Sequence, residues 1–474
     1  MKQRVFVFCI GGTGLRVMKS VLMLLAAGMD AKDYIIVPVI IDPHLDLEER
    51  KNLGNFIEEY ETIHNATVIC DGQRLNAIKG FFGAEVCDLK QLGGQQNDNS
   101  DSIGDKRRFE EYLNLGKLAS DNVNQYLVHT LFSQANLNNH LSVGYKGNPN
   151  VGTVVLGEEI EGADWFQTFR NSCQKGDRIF IISSIFGGTG ASGYPLLEKK
   201  IRQSDDYPNV RNALLGAVSV LPYYALEDPS TTDSDIDSAN FLTKAKSALT
   251  YYERSVKSDY LYYIGEQKFN VTYANDEKKQ NDTAHFIELV AATALFDFLS
   301  KADDRPDTVQ VMSRAIKEEA DSLTILKLGD AYSDIVKAVA DMTLLHRLIY
   351  LLPDEKEFPL KINRGLDSSF YNSDSFQKLK QFINRFMEWY KELESNRRSF
   401  APLVIAPIDN RKAPLDGWVK DYSLDAKDES YYLLKMIQAS NDDNEKGHPC
   451  RFRRFLHYAY QSINHYTKTL TKEI

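Results

Sequence analysis

The stretch RIFIISSIFGGTGASGYPLLEKKIR, residues 178–202, begins with apolar and β-branched residues, breaks at GGTG and resumes with helical spacing. This order predicts a buried strand, a glycine-rich turn and a helix. A second GGTG lies near the start of the chain, in VFVFCIGGTGLRVMKSVL, residues 5–22. The sequence therefore contains two strand–GGTG–helix units.

A glycine-rich turn between a strand and a helix lets backbone N–H groups approach a ligand closely, and the helix N-terminus adds partial positive charge. Such a turn is suited to phosphate. Each loop alone is also compatible with a tight turn that only closes a βα unit. Two loops on one parallel sheet favour binding, because both open at the carboxyl edge, where such sheets bind ligands.

Composition limits the class of protein. The 474 residues are 43% hydrophobic and 26% charged, which is typical of a globular protein. The net charge of -10 argues against a dedicated nucleic-acid binder, which needs a positive surface. The sequence has no run of 18 apolar residues, so no membrane span is predicted. The nine histidines lack the spacing of a zinc site, and no metal ligands are assigned. Five scattered cysteines and the absence of a signal-peptide pattern predict a cytoplasmic location.

Strand-like segments alternate with helical ones along the first 300 residues. Continuous apolar runs predict strands at 4–10, 34–42, 151–157, 176–185, 212–222 and 259–266. Apolar residues at helical spacing predict helices that include 14–28, 47–63, 237–255 and 282–301, and a mainly helical region from about residue 303. Buried strands separated by helices predict an α/β fold whose parallel sheet is covered on both faces.

Two common nucleotide-binding folds fit the sequence to different degrees. The chain has no GxxxxGK[ST] sequence, which disfavours a P-loop NTPase. A dinucleotide-binding Rossmann protein is an alternative, since Asp42 follows the second strand where an acid would bind the ribose. That alternative, an NAD(P)-dependent oxidoreductase, accounts for only the first GGTG.

The segment FGGTGASGYPLLEKK, residues 186–200, resembles the phosphate loop of the tubulin and FtsZ superfamily, GGGTG followed by a small residue and glycine. The first loop, CIGGTGLRVM, is similar to the first glycine-rich loop of that family. The order of elements over 4–300 is similar as well, and the resemblance is to divergent bacterial tubulin-like proteins. The chain departs from the motif at Phe186, at Ala191 and Ser192, and at Leu15 and Arg16.

The resemblance implies a tubulin/FtsZ-like, Rossmann-like nucleotide-binding domain over 1–236, a long central helix over 237–258 and a mainly helical C-terminal domain over 259–474. It also implies bound GTP or GDP with Mg²⁺. The two loops would hold the phosphates from two sides through Gly11, Gly12, Thr13, Gly14, Gly187, Gly188, Thr189 and Gly190.

Further residues are assigned through the same resemblance. Asp42 would lie near the metal or the phosphates, although an Asp before Pro43 is also typical of a turn. Lys106, Arg107 and Arg108 would reach the terminal phosphate, or else form a solvated charged run. Asn240 would contact the base, since its amide both donates and accepts hydrogen bonds.

The resemblance further implies that the nucleotide lies at a subunit junction and that the next subunit supplies a catalytic carboxylate. The segment KQNDTAHFIELV, residues 279–290, offers Asp282 and Glu288. Asp282 is equally suited to capping the helix that follows. Two hypotheses stay open, a self-associating GTPase and a non-polymerising nucleotide-binding adaptor that lost the catalytic loop.

Overall fold

The computed structural model describes residues 2–44, 48–93, 107–119, 122–228, 238–266, 271–273, 283–316, 322–323, 332–351, 366–403, 438 and 450–468. In these residues, the principal sheet has six strands, all parallel, with helices packed against it. The predicted α/β class is confirmed.

Continuous apolar sequence forms the centre of the sheet. Its strands are β1 (Arg4–Ile10), β2 (Ile35–Ile41), β3 (Arg178–Ser184), β4 (Leu214–Val220), β5 (Tyr260–Glu266) and β6 (Gln310–Ile316). Their spatial order is β2-β1-β3-β4-β5-β6. β1, β3 and β4 are buried along their whole length, because a parallel strand covered on both faces has no side facing water.

The order of the strands reverses at β1. β1 pairs with β2 on one side, where Arg4 lies opposite Ile35, and with β3 on the other, where Val5 lies opposite Arg178. The chain therefore leaves β1 in one direction and returns on its other side. In an open parallel sheet, such a reversal opens a crevice at the carboxyl ends of the two strands.

Eleven helices of eight residues or more are labelled in the described part of the chain. They are α1 (Gly11–Ala26), α2 (Glu48–Val68), α3 (Val123–Leu131), α4 (Pro149–Gly162), α5 (Asp164–Ser172), α6 (Gly188–Arg202), α7 (Phe241–Ser255), α8 (Phe286–Leu299), α9 (Ser333–Leu351), α10 (Asp374–Ser395) and α11 (Arg451–Thr467). Shorter helical turns are Leu89–Leu92, Phe109–Tyr112, Leu115–Lys117, Gln134–Leu137, Leu141–Val143, Pro208–Asn212, Ser238–Asn240 and Ser368–Tyr371. Short strands pair as Ile69–Cys70 with Gln73–Arg74, Ala225–Leu226 with Thr272–Tyr273, and Ser322–Leu323 with Ser399–Phe400.

Aromatic contacts fix the helices on the two faces of the sheet. Phe8 of β1 packs edge-on against Phe169 of α5, with ring centroids 5.0 Å apart. Phe180 of β3 packs against Phe298 of α8 at 5.3 Å. Phe8 lies opposite Ile181, the neighbour of Phe180, in the β1–β3 register, so the two phenylalanines point to opposite faces. One face is covered by α1 and α8, and the other by α4, α5 and α6.

A helical layer forms outside α2. α10 and α11 both pack against α2 and against α9. Phe382 of α10 lies 5.8 Å from the ring of Phe56 in α2. The mainly helical character predicted after residue 303 is confirmed for these helices. No described helix combines the length and the apolar character that crossing a bilayer requires.

One local prediction was wrong, and one strand was not predicted. Residues 151–157 are rich in valine and were predicted to form a strand, but they belong to α4, which begins with Pro149 in its first turn and packs on α6. Tertiary packing outweighs β-propensity here. The strand β6 was not predicted, because Gln310–Ile316 lies at the sheet edge and mixes polar with apolar residues.

The predicted helix at 237–258 is present as α7, with Phe241, Ala245 and Tyr252 buried. The more deeply buried helix is α8, where eleven of fourteen residues are buried. The sheet itself continues past residue 258 through β5 and β6. The division into domains at 236 and 258 stays a prediction.

Candidate functional site

The two GGTG loops touch each other at the carboxyl edge of the sheet. Gly11 directly follows β1 and has a φ of +71°, which favours glycine. A Cβ built on Gly11 would lie 3.4 Å from Cβ of Thr189 and 3.5 Å from N of Gly190. Because β1 and β3 are adjacent parallel strands, the loops that follow them meet at the crevice.

The glycines of the two loops have different surroundings. A Cβ on Gly14 would lie 2.9 Å from the carbonyl carbon of Cys9, and one on Gly190 would lie 2.7 Å from the carbonyl oxygen of Ser184. These two glycines allow each helix to pack closely on the strand before it. By contrast, no atom lies within 4 Å of a Cβ built on Gly12. Gly12 therefore borders open space.

Both helices that begin at these loops have N-termini without a side-chain cap. α1 follows Ile10 and α6 follows Gly187, and neither residue provides a side-chain hydrogen bond to the first turn. Neither first turn contains an acidic residue. Two helix N-termini with uncapped N–H groups therefore converge, which suits an anion.

A third loop, residues 144–148, completes the cluster and was missed in the sequence. Gly144, Lys146 and Gly147 all have positive φ, at 78°, 43° and 68°. The backbone N atoms of Gly147 and Asn148 each lie 3.1 Å from a Cβ built on Gly188. In the sequence, Gly144 and Gly147 followed by Pro149 at the start of a helix are typical of such a loop. Interpreting residues 151–157 as a strand concealed that start.

Tyr145 in the third loop carries an unsatisfied hydroxyl. Its side chain is 1% exposed, and Oη has no hydrogen-bond partner among the described residues. Burial, with Glu159 and Asp42 nearby, raises the pKa of Tyr145 well above its usual value. The group is therefore a neutral O–H donor beside the second glycine loop.

Asp42 lies at the end of β2, as predicted, and is buried. Its Oδ1 accepts the backbone N–H of His44 at 2.8 Å, and its carbonyl oxygen accepts from Nη1 of Arg50 at 3.1 Å. Burial raises the pKa of Asp42 to about 6, while the bond from His44 and the charge of Arg50 oppose the rise. Asp42 also influences Tyr145 electrostatically, which places its charge near the third loop.

Asn240 lies at the start of α7, beside the second glycine loop. The next residue, Phe241, packs on Phe186 with centroids 4.9 Å apart. One turn further along α7, Nζ of Lys244 donates to the carbonyl oxygen of Gly147 at 2.6 Å. Asn240 is exposed, and the residues that follow it on α7 contact both the second and the third loop.

Glu288 is close to the first glycine loop of its own chain. Its Oε1 forms an ion pair with Nε of Arg16 at 2.7 Å and accepts from the hydroxyl of Tyr223 at 2.6 Å. Its Oε2 accepts the backbone N–H of His285 at 3.1 Å. With 1% of its surface exposed, Glu288 does not reach a neighbouring subunit from this position. Asp282 and Lys106 lie outside the described residues.

The basic run before the third loop has its own local contacts. The guanidinium of Arg107 lies 5.1 Å from the ring centroid of Tyr112. The backbone N–H of Arg108 donates to Glu111 at 2.9 Å, at the start of a short helix. A contact of either side chain with a phosphate stays a prediction.

The described residues suit a phosphate more clearly than a metal ion. Gly12 borders open space, the two helix N-termini lack caps, and Tyr145 offers an unpaired donor. Across the described ranges, no group of three or more His, Cys, Asp or Glu side chains is arranged to bind a metal ion. Glu159 and Asp42 are the carboxylates that act on Tyr145 of the third loop in the described part of the chain.

Comparisons with known proteins find similarity among solved structures alone. No family model matches the chain, and no curated protein matches it. Among solved structures, CetZ from Methanosaeta thermophila strain DSM 6194 aligns with 71% of this chain at 16% identity and a TM-score of 0.28. The alignment spans 60% of the CetZ chain, which is less than two thirds of its length. What the site binds must therefore follow from its own residues.

Proposed function

We propose that this chain is a tubulin-like protein that binds a guanine nucleotide where the two GGTG loops meet. The observation that carries the proposal is the contact of Gly11 with Thr189 and Gly190. It joins two uncapped helix N-termini at the reversal point of a parallel sheet. A single polyphosphate that both loops bind, one from each side, explains why the chain contains two such loops.

Each loop has a defined part in this proposal. Backbone N–H groups from 11–14 bind one side of the phosphates, and those from 187–190 bind the other. The third loop adds the N–H group of Gly147 and the hydroxyl of Tyr145, whereas the N–H of Asn148 donates within the loop to the carbonyl oxygen of Tyr145 at 2.7 Å. Mg²⁺ accompanies the polyphosphate, with Asp42 as the nearest proposed carboxylate. Asn240 contacts the base, and the choice of guanine rests on the resemblance of the loop sequences.

Hydrolysis and self-association are part of the same proposal. Asp282 is the proposed catalytic carboxylate, which would orient the attacking water in a neighbouring subunit's site. Glu288 is proposed to hold Arg16 beside the first loop, because both of its oxygens are engaged within the chain. That engagement also favours the second candidate, an adaptor that binds nucleotide without turnover. The oxidoreductase alternative leaves the contact between the two loops unexplained.

The binding proposal is tested by titrating the protein with fluorescent GTP, with ATP and NAD⁺ as competitors. In the Gly12→Val variant the new side chain enters open space, so the protein folds but the phosphate is blocked. Gly54→Val is the matched control, because Gly54 also lies in a helix with no atom within 4 Å of its Cβ position. Loss of GTP binding in Gly12→Val alone supports the proposal. Equal affinity in the two variants contradicts it.

A further inference from the structure

Two cysteines from distant parts of the chain lie side by side. Cys70 ends the short strand after α2, and Cys450 directly precedes α11. Sγ of Cys450 donates to the carbonyl oxygen of Ala66 in α2 at 3.3 Å. Cys450 also lies close enough to Cys70 to raise the pKa of its thiol. Neither residue is in a disulfide.

The surrounding backbone fixes this pair in place. Nη1 of Arg453, in the first turn of α11, donates to the carbonyl oxygens of Thr67 at 3.2 Å and Asn76 at 2.5 Å. These two carbonyl groups lie on either side of the hairpin that contains Cys70. One arginine thus ties the first turn of α11 to both ends of the hairpin that contains Cys70.

The two thiols differ in their access to solvent. Cys70 is partly exposed, whereas Cys450 is 8% exposed. Burial, together with Cys450 and Asp71, raises the pKa of the Cys70 thiol, and Arg453 opposes the rise. The pair is therefore a stable dithiol at neutral pH that reacts slowly, with Cys70 as the residue that a dissolved oxidant meets first.

We propose that Cys70 and Cys450 form a dithiol that hydrogen peroxide closes slowly into a disulfide, which fastens α11 to α2. The Cys70 thiolate attacks hydrogen peroxide, so an S–O bond forms, the O–O bond breaks and hydroxide leaves. The Cys450 thiolate then attacks the sulfenic sulfur, so the S–S bond forms, the S–O bond breaks and a second hydroxide leaves. The two hydroxides take up the two thiol protons, giving two waters per disulfide.

The disulfide would link residues near opposite ends of the described chain. α11 packs against both α2 and α9, so its first turn is a junction between the helical layer and the rest of the fold. Because a cross-link between distant residues restricts the unfolded chain, the oxidised protein resists unfolding more than the reduced protein. Intracellular disulfides in such positions are typically transient and responsive to oxidants.

The test treats the full-length chain with hydrogen peroxide, blocks remaining thiols with N-ethylmaleimide and measures intact mass and proteolytic fragments. The expected result is the loss of two hydrogens and one cross-linked fragment pair containing Cys70 and Cys450, reversed by dithiothreitol. The cross-link should be absent in Cys70→Ser and Cys450→Ser. It should persist in Cys87→Ser, the control for another half-buried cysteine.

A second measurement compares the thermal unfolding of the oxidised and reduced protein. A higher midpoint after oxidation, absent in Cys70→Ser, supports fastening of α11 to α2. The proposal is overturned if peroxide yields only sulfinic acid at Cys70, a disulfide with another cysteine, or a chain whose thiols all remain reactive toward N-ethylmaleimide after prolonged exposure.

Discussion

Arg16 and Glu288 form a buried ion pair, with 2.7 Å between Nε and Oε1, although they are 272 positions apart in the sequence. The pair joins the second turn of α1, just after the first glycine loop, to the first turn of α8. Nη2 of Arg16 also bonds to the hydroxyl of Tyr223 at 3.0 Å. Contacts of Arg16 with Glu288 and Tyr223 thus fix the N-terminal part of α1 within its own chain.

Glu288→Gln should lower the free energy of unfolding by about 3 kcal/mol, because it leaves the buried Arg16 charge without its counter-ion. Urea denaturation measures the effect. Asp205→Asn is the control, since Asp205 pairs with Arg211 at the surface and its loss should change stability little. Equal stability losses in the two variants would show that the buried pair has no special role.

Gly188→Val should abolish GTP binding. Its Cβ would lie 3.0 Å from Cβ of Tyr145, and the branched side chain would push the third loop away from the second. Calorimetric titration measures affinity, and circular dichroism checks the fold. Gly157→Val is the control, because the nearest atom to its Cβ position is 4.0 Å away. Unchanged affinity in Gly188→Val would contradict the phosphate-binding arrangement.

Asp42 should make stability fall as pH rises from about 4 to about 6. Its folded pKa of about 6 exceeds the ordinary 3.8, so the folded chain holds this proton more tightly than the unfolded chain. Between these two values each increase in pH favours unfolding, by about 3 kcal/mol in total. Above pH 6 both states are ionised and the contribution is constant.

The measurement for Asp42 compares wild-type protein with Asp42→Asn, which is neutral at every pH. Denaturant unfolding at a series of pH values gives the difference in unfolding free energy between them. Between pH 4 and pH 6 the free energy of unfolding of the wild type should fall relative to that of the variant. The contributions of the titratable groups that both proteins share cancel in this difference. A difference independent of pH would refute the raised pKa.

Lys244→Met should weaken GTP binding about tenfold, because it removes the charged hydrogen bond that holds the carbonyl group of Gly147. The third loop, in which three of five residues have positive φ, would then lose one of the hydrogen bonds that hold it. The fluorescent nucleotide titration measures the change. Lys246→Met, on an exposed position of the same helix, should bind as the wild type does.

GTP turnover per molecule should rise above a threshold protein concentration if neighbouring subunits complete the site. Asp282→Ala should remove that turnover while leaving GTP binding intact. Turnover assays across a range of protein concentrations, with ATP in parallel, provide the measurement. Tight binding with no turnover at any concentration would favour the adaptor over the GTPase.

Local sequence patterns were sufficient to predict the strands and glycine loops at the centre of the fold. The apolar runs of β1 and β3 and the glycines that follow them are consecutive in the chain, so each strand–loop–helix unit was predictable. Adjacent parallel strands then bring the two loops to one edge. That contact between Gly11 and Thr189 is the direct consequence of the strand order.

Features that depend on distant contacts were not predictable. The third loop is recognisable through its contact with Gly188, and the helix after it is fixed by packing on α6 rather than by its valines. Glu288 has the residue type of a catalytic acid, but its partner Arg16 comes from the start of the chain. A single sequence does not reveal which long-range partner a buried charge will find.

The close packing of Gly14 on β1 has a consequence for dynamics. β1 is hydrogen-bonded along both edges, so its amide protons should exchange with solvent only when the sheet opens. Gly12, which borders open space, lies only two residues beyond that strand. The first loop is therefore anchored at both ends to the slowest-exchanging part of the molecule. A ligand meets backbone that is already ordered, and little conformational entropy is lost when it binds.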